Sequence, residues 1–109
     1  MSKIKAIIKR PDEKYGHMTS ISNSLKNLQR TVDGYIELVS FTHEKGEVYI
    51  ICNEDGKIKD LEKNMKIPGD VLVGTIIICG SDDESGECGD VPISFAEWKT
   101  VVDQWESSC

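Results

Sequence analysis

The residues in this chain whose types and spacing best suit chemistry are Asn53-Glu54-Asp55-Gly56, Asn64 and the pair Gly74-Thr75. The first run could offer two carboxylates and an amide to a cation or a basic partner. A tight turn asks for the same residues, because Asn and Asp bond to nearby backbone and Gly supplies positive φ. A turn alone does not require Asn53 or Asn64. Those two, with Glu54, Asp55, Gly74 and Thr75, are therefore the candidate binding residues, and a small-ligand pocket near Asn53, Asn64 and Thr75 is one reading of them. A phosphate cradle at Gly74-Thr75 is disfavoured, since such a cradle needs several glycines leading into a helix N-terminus. Here Gly74 leads into Ile76-Ile77-Ile78, which is strand composition.

The remaining reactive residues do not assemble into a signature. Cys52, Cys79, Cys88 and Cys109 are 27, 9 and 21 residues apart, with no C-x-x-C pair, and His17 and His43 are remote from them. Structural zinc sites use paired ligands at short spacing, so neither a metal nor any other cofactor is expected. Cys52 and Cys79 each end an apolar run and read as small buried hydrophobes, with Cys88 and Cys109 exposed. Neither histidine stands beside a Ser or Cys in a recognisable elbow, and no catalytic residue is assigned. The acids Asp82, Asp83, Glu84, Glu87 and Asp90 miss the D-x-[DN]-x-[DN]-G spacing of a calcium loop. They read as part of a mobile acidic loop over 80–92.

Charge narrows the partners. The chain has 109 residues and a formal charge of -6, yet residues 1–33 carry +4 and the rest -10. An acidic body repels phosphate backbones, so no general nucleic-acid binding is expected. It suits a protein partner with a basic surface. No apolar run approaches the ~20 residues of a membrane span, and the first residues lack a signal peptide's apolar stretch. The reading is a single cytoplasmic domain over 1–109 with no membrane association.

The elements that must position these residues follow from periodicity. Residues 3–9 predict a strand with Ile4, Ala6 and Ile8 on one face and Lys3, Lys5, Ile7 and Lys9 on the other. His17–Ser20 predict a brief return strand. Ile21, Leu25, Leu28 and Val32 mark one face of a helix over 22–32, capped by Ser20 or Ser22. Gly34 is placed to leave that helix through the left-handed region. Residues 35–41 and 47–52 predict a hairpin through Gly46, its first strand interior because both faces are partly apolar. Residues 57–70 predict a connector with one helical turn, ended by Pro68-Gly69, and 71–79 a central strand. Ser94 and Glu97 make a capping box for a helix over 94–106, striped by Phe95, Trp98, Val101, Val102 and Trp105. Trp98 and Trp105 are core filling on one view and partner anchors on the other. The sum is α+β: a small, mostly antiparallel sheet of four to five strands with two helices packed on one face.

The runs GYIELV at 34–39, ICNEDGKIKDLEKN at 51–64 and GTIIICG at 74–80 resemble a family catalogued as domain of unknown function 3846, found in bacteria, phages and mobile elements. The pattern falls on Gly34, Tyr35 and Glu37, then Cys52, Asn53, Glu54, Gly56, Lys57 and Asn64, then Gly74 and Thr75. The insert at 81–92 is longer than the pattern has. The resemblance implies a compact domain in a bacterial or phage setting and brings no assigned activity. Together these observations favour a non-enzymatic accessory protein that binds a macromolecule. The alternatives are a small-ligand binder or enzyme, a DNA-mimicking inhibitor of host defence, and a homo-oligomer joined through a strand edge or the tryptophan helix.

Overall fold

The computed structural model describes residues 3–81 and 88–107. In chain order the elements are β1 (Lys3–Lys9), β2 (His17–Ser22), α1 (Leu25–Val32), β3 (Ile36–His43), β4 (Gly46–Asn53), β5 (Lys63–Ile67), β6 (Asp70–Val73), β7 (Ile76–Ser81), β8 (Cys88–Gly89) and α2 (Phe95–Glu106). The main sheet has the order β2-β1-β7-β4-β3, with β8 beside β7. All its pairings are antiparallel. β5 and β6 form a separate hairpin turned by Pro68-Gly69. The fold is α+β with an antiparallel sheet and two helices, as the periodicities predict.

The helices do not share a face. Val48, Ile50, Ile76 and Ile78 point to one side, where Trp98, Val101 and Val102 of α2 join Met65 and Leu72 of the hairpin. Ile51, Ile77 and Cys79, with Ile4 and Ala6, point to the other, under Leu28 and Val32 of α1. The expected one-sided packing is thus corrected to a helix on each side of the sheet. The cause is legible in β4 and β7: consecutive apolar residues at 50–51 and 76–79 put aliphatic groups on both faces. Each such side chain contributes about 1.5–3 kcal/mol when buried, so both faces must be covered.

Three further expectations change. β3 is an edge strand rather than an interior one, and Leu38 on it remains 49% exposed. α1 starts later than expected, because β2 pairs with β1 through Ser22 opposite Lys3, so Ser24 becomes the cap and accepts a bond from the Asn27 N–H. Leu25 is left exposed at the first helical position. Residues 71–79 are not one strand: Gly74, at φ +74°, breaks them into β6 and β7. The predicted connector accordingly contains β5.

Of the acidic loop, Asp82, Asp83, Glu84 and Glu87 lie outside the described residues. Its flanks are placed: Gly80 and Ser81 close β7, Cys88 and Gly89 form β8. Asp90 Oδ1 accepts from the Lys5 N–H at 2.8 Å, and the Val91 N–H donates to the Lys5 carbonyl at 2.9 Å. α2 has its expected capping box at Ser94 and Glu97. The backbone N–H of Ser94 and the nearby Lys45 hold the Glu97 carboxyl below its ordinary pKa.

Candidate functional site

The sequence-selected residues fall into two separate hydrogen-bonded locks. In the first, the Asn53 amide nitrogen donates to the carbonyls of Val32 and Asp33, at 3.0 and 2.9 Å, while its oxygen accepts from the Asp55 N–H at 2.8 Å. Asn53 therefore supplies a donor to the C-terminal carbonyls of α1, which have no intrahelical partners. The helix leaves through Asp33, at φ +64°, not through Gly34 as expected. Asp is among the few side chains that tolerate this conformation. Gly34 is needed for a different reason. A Cβ there would stand 2.6 Å from the Asn53 amide nitrogen.

In the second lock, Asn64 is 9% exposed and donates to the carbonyls of Lys9 and Gly74, both at 2.8 Å. Its side-chain oxygen accepts from Lys9 Nζ at 2.7 Å, and its own carbonyl accepts from the same ammonium at 3.3 Å. The lysine is itself only 2% exposed. Burial pushes the Lys9 pKa down from its ordinary value, and the charges of Glu106 and Glu13 partly restore it. Asn64 thus joins β1, β5 and the bend at Gly74.

These two locks are apart in their partners and in their surroundings. Asn53 and Glu54 line a concavity of about 100 Å³ together with Glu37, Cys52, Lys57 and Asp70, but Asn64, Gly74 and Thr75 do not. Lys57 and Asp70 form an ion pair across it, which lowers the Asp70 pKa. Burial pushes the Cys52 thiol up to about 11, leaving it protonated and poorly nucleophilic. Thr75 is half-buried and Glu54 exposed. Among the described residues no three His, Cys, Asp or Glu side chains are grouped to hold a metal ion. His17 meets Glu13 at 3.0 Å, and His43 accepts from the Lys45 N–H, so each serves its own turn.

A different surface presents open, partly apolar shape. Beside β3, on the α2 side of the sheet, Val39, Phe41, Ile50, Ile67, Pro68 and Trp105 enclose a groove of about 170 Å³. A second concavity of about 440 Å³ continues past the Pro68-Gly69 turn and shares Trp105 with it. Trp98 is fully buried, and its indole N–H donates to the Tyr15 carbonyl at 2.9 Å. Trp105 stays half-buried, edge-on to Phe41 with centroids 4.8 Å apart and to Trp98 at 6.4 Å. The two readings of the tryptophans therefore divide: Trp98 is core, and Trp105 lines an accessible groove. Sequence reasoning did not single out Val39, Phe41 or Pro68. The usable signal was the alternation Glu37, Val39, Phe41 on a strand whose opposite face keeps Leu38 apolar.

The family model described as domain of unknown function (DUF3846) matches residues 4–105. The chain belongs to this family. The match spans both locks, the groove and both helices. No curated protein matches the chain. No solved structure matches it either. Among the described residues no helix of this DUF3846 member is long and apolar enough to cross a membrane.

Proposed function

We propose that this DUF3846 protein is a non-enzymatic accessory protein of a bacterial or phage cytoplasm that binds an extended segment of another protein along β3. The observation that carries this reading is the coincidence, among the described residues, of an unpaired sheet edge with an apolar groove. β3 lies at the end of the strand order and runs eight residues without proline. Its partner β4 stays in register from Ile36 opposite Asn53 to His43 opposite Gly46, with no bulge to disrupt the edge. Edges left this long and regular are templates for strand addition unless charge or proline blunts them. The incoming backbone would bond to β3, and alternate side chains would enter the groove at Phe41, Ile67 and Trp105.

Charge selects the occupant. Residues 35–44 carry Glu37 and Glu44 and no Lys or Arg. Lys45, at the end of that hairpin, is already paired with Glu97 at 3.5 Å. The fitting segment carries, on its groove-facing side, apolar side chains beside Val39 and Phe41 and a Lys or Arg two or more residues along, beside Glu37. By contrast Asn53 and Asn64 spend their hydrogen-bonding groups on the fold, which removes the main support for a small-ligand site built on them.

A displayed library of ten-residue peptides tests this. The expected outcome is enrichment of sequences with apolar residues two apart and a Lys or Arg at the next position of the same parity, with chemical-shift changes at β3 and a change in Trp105 emission. N-methylation of alternate peptide nitrogens should abolish binding, and Glu37→Lys should weaken it. Peptides that bind equally well when methylated, or that map to β2, would refute the proposal. So would sedimentation showing β3 already occupied by a second copy of the chain.

A further inference from the structure

We propose that Cys79 and Cys88 form a reversible disulfide, making the β7–β8 corner a thiol-modification site. Ser81 stands opposite Cys88 in the β7–β8 pair. Side chains two apart on a strand share a face, so Cys79 and Cys88 are diagonal neighbours on one side of the sheet. Both pack into the same apolar cluster under α1, Cys79 fully buried and Cys88 partly so. Their thiols share a hydrogen bond, which together with burial pushes the Cys79 pKa up. Cys88 was expected to be exposed; its position at the rim of the cluster instead leaves it reachable from solvent while touching a buried partner. Diagonal neighbours sit about 7–8 Å apart and a disulfide most often spans about 5.5–6 Å between Cα atoms, so closure requires β8 to move inward by about 1–2.5 Å. A two-residue strand is well suited to that movement.

The reaction requires a disulfide oxidant such as oxidised glutathione. The Cys88 thiolate attacks one glutathione sulfur, its S–S bond breaks, and one glutathione thiolate leaves and takes up the proton lost by Cys88. Cys79 then attacks Cys88 Sγ, expelling the second glutathione and passing it the Cys79 proton. Two protein thiols are oxidised and one glutathione disulfide is reduced to two thiols. Cys88 is the attacking group because it is the half-buried thiol that an oxidant can reach, and the fully buried Cys79 resolves the mixed disulfide.

The test uses the full chain with Cys109→Ser, incubated with oxidised glutathione under native conditions, alkylated, and analysed by intact mass and peptide mapping. The expected result is loss of two hydrogens and a peptide linked through Cys79 and Cys88, reversed by reduced glutathione. Cys79→Ser should instead accumulate a stable glutathione adduct at Cys88, and Cys88→Ser should leave Cys79 unmodified. Wild-type-like accumulation of the Cys88 adduct with Cys79 intact, or linkage to Cys52 in place of Cys79, overturns the assignment. The outcome is independent of peptide binding at the outer edge of β3, which β4 separates from β7.

Discussion

Replacing Asn64 with Leu is the sharpest perturbation of this fold, because one buried amide serves three groups. The substitution keeps the volume roughly constant but strips the donors from the Lys9 and Gly74 carbonyls and the acceptor from the Lys9 ammonium. A lost hydrogen bond to a buried charge costs about 1.5–3 kcal/mol, and each carbonyl left without its donor about 1–3 kcal/mol, less whatever entering water restores. A net loss of about 3–5 kcal/mol is expected, a large part of a small domain's total stability. In urea, at about 1–3 kcal/mol per molar, the midpoint should fall by roughly 2 M. Asn64→Asp is the informative companion. It hands Lys9 a carboxylate but turns acceptor oxygens toward two carbonyls, so it should destabilise despite the new ion pair. The double variant Lys9→Met/Asn64→Leu removes the stranded charge and should recover about 1.5–3 kcal/mol relative to the sum of the single changes. An Asn64→Leu loss under about 1 kcal/mol, or an Asn64→Asp protein more stable than wild type, would falsify the view that this side chain is a structural lock.

Two other measurements bear on the same region. Gly74→Ala forces a side chain into φ +74° with its Cβ 2.8 Å from Leu61 Cδ1, and about 1–2 kcal/mol of destabilisation is expected by urea unfolding. Gly69→Ala, at φ +83° with open space around it, should cost less; equal losses would mean that Leu61 does not matter. For pH, Lys9 has a folded pKa below its ordinary 10.5, so between the two values the unfolded chain binds more protons and stability rises with pH. The burial penalty is present below the folded pKa and is relieved as pH climbs toward 10.5. Wild type should therefore gain on Lys9→Met across that alkaline window; a flat difference would show that Lys9 is not desolvated in the folded state.

The elements were mostly legible because their signals are local. The Ser94–Glu97 box, the stripe of α2 and the alternation of β1 are written within a few residues of one another, and each appears where periodicity puts it. What was not legible depends on partners distant in sequence. A continuous apolar run at 71–79 is as consistent with one strand as with two, and the break at Gly74 is decided by Asn64 and Glu62, whose carbonyl accepts from the Gly74 N–H at 2.8 Å. The start of α1 moved because β2 claimed Ser22 for pairing with β1. Alternation puts Lys9 on the face of Lys3, Lys5 and Ile7, and says nothing of its burial, which follows because the β5–β6 hairpin and α2 close over that face.

The motif residues gain a physical meaning from these long-range contacts. Gly34 and Asn53 are separated by 19 positions, Asn64 and Gly74 by ten, and neither pair announces itself as a pair in the chain. In space each couples an asparagine to a glycine whose backbone must be approached closely: Asn53 would collide with a Cβ at Gly34, and Asn64 holds the carbonyl of Gly74 at a bend requiring positive φ. An amide is the side chain for both tasks, since it donates to carbonyls and accepts at its oxygen without carrying charge into a buried site. The most motif-like residues of the sequence are thus consumed in joining helix to sheet and hairpin to sheet. Neither lock uses the outer edge of β3: among the described residues that edge lies outside the sheet's own pairing, and Val39 and Phe41 of the same strand line the groove.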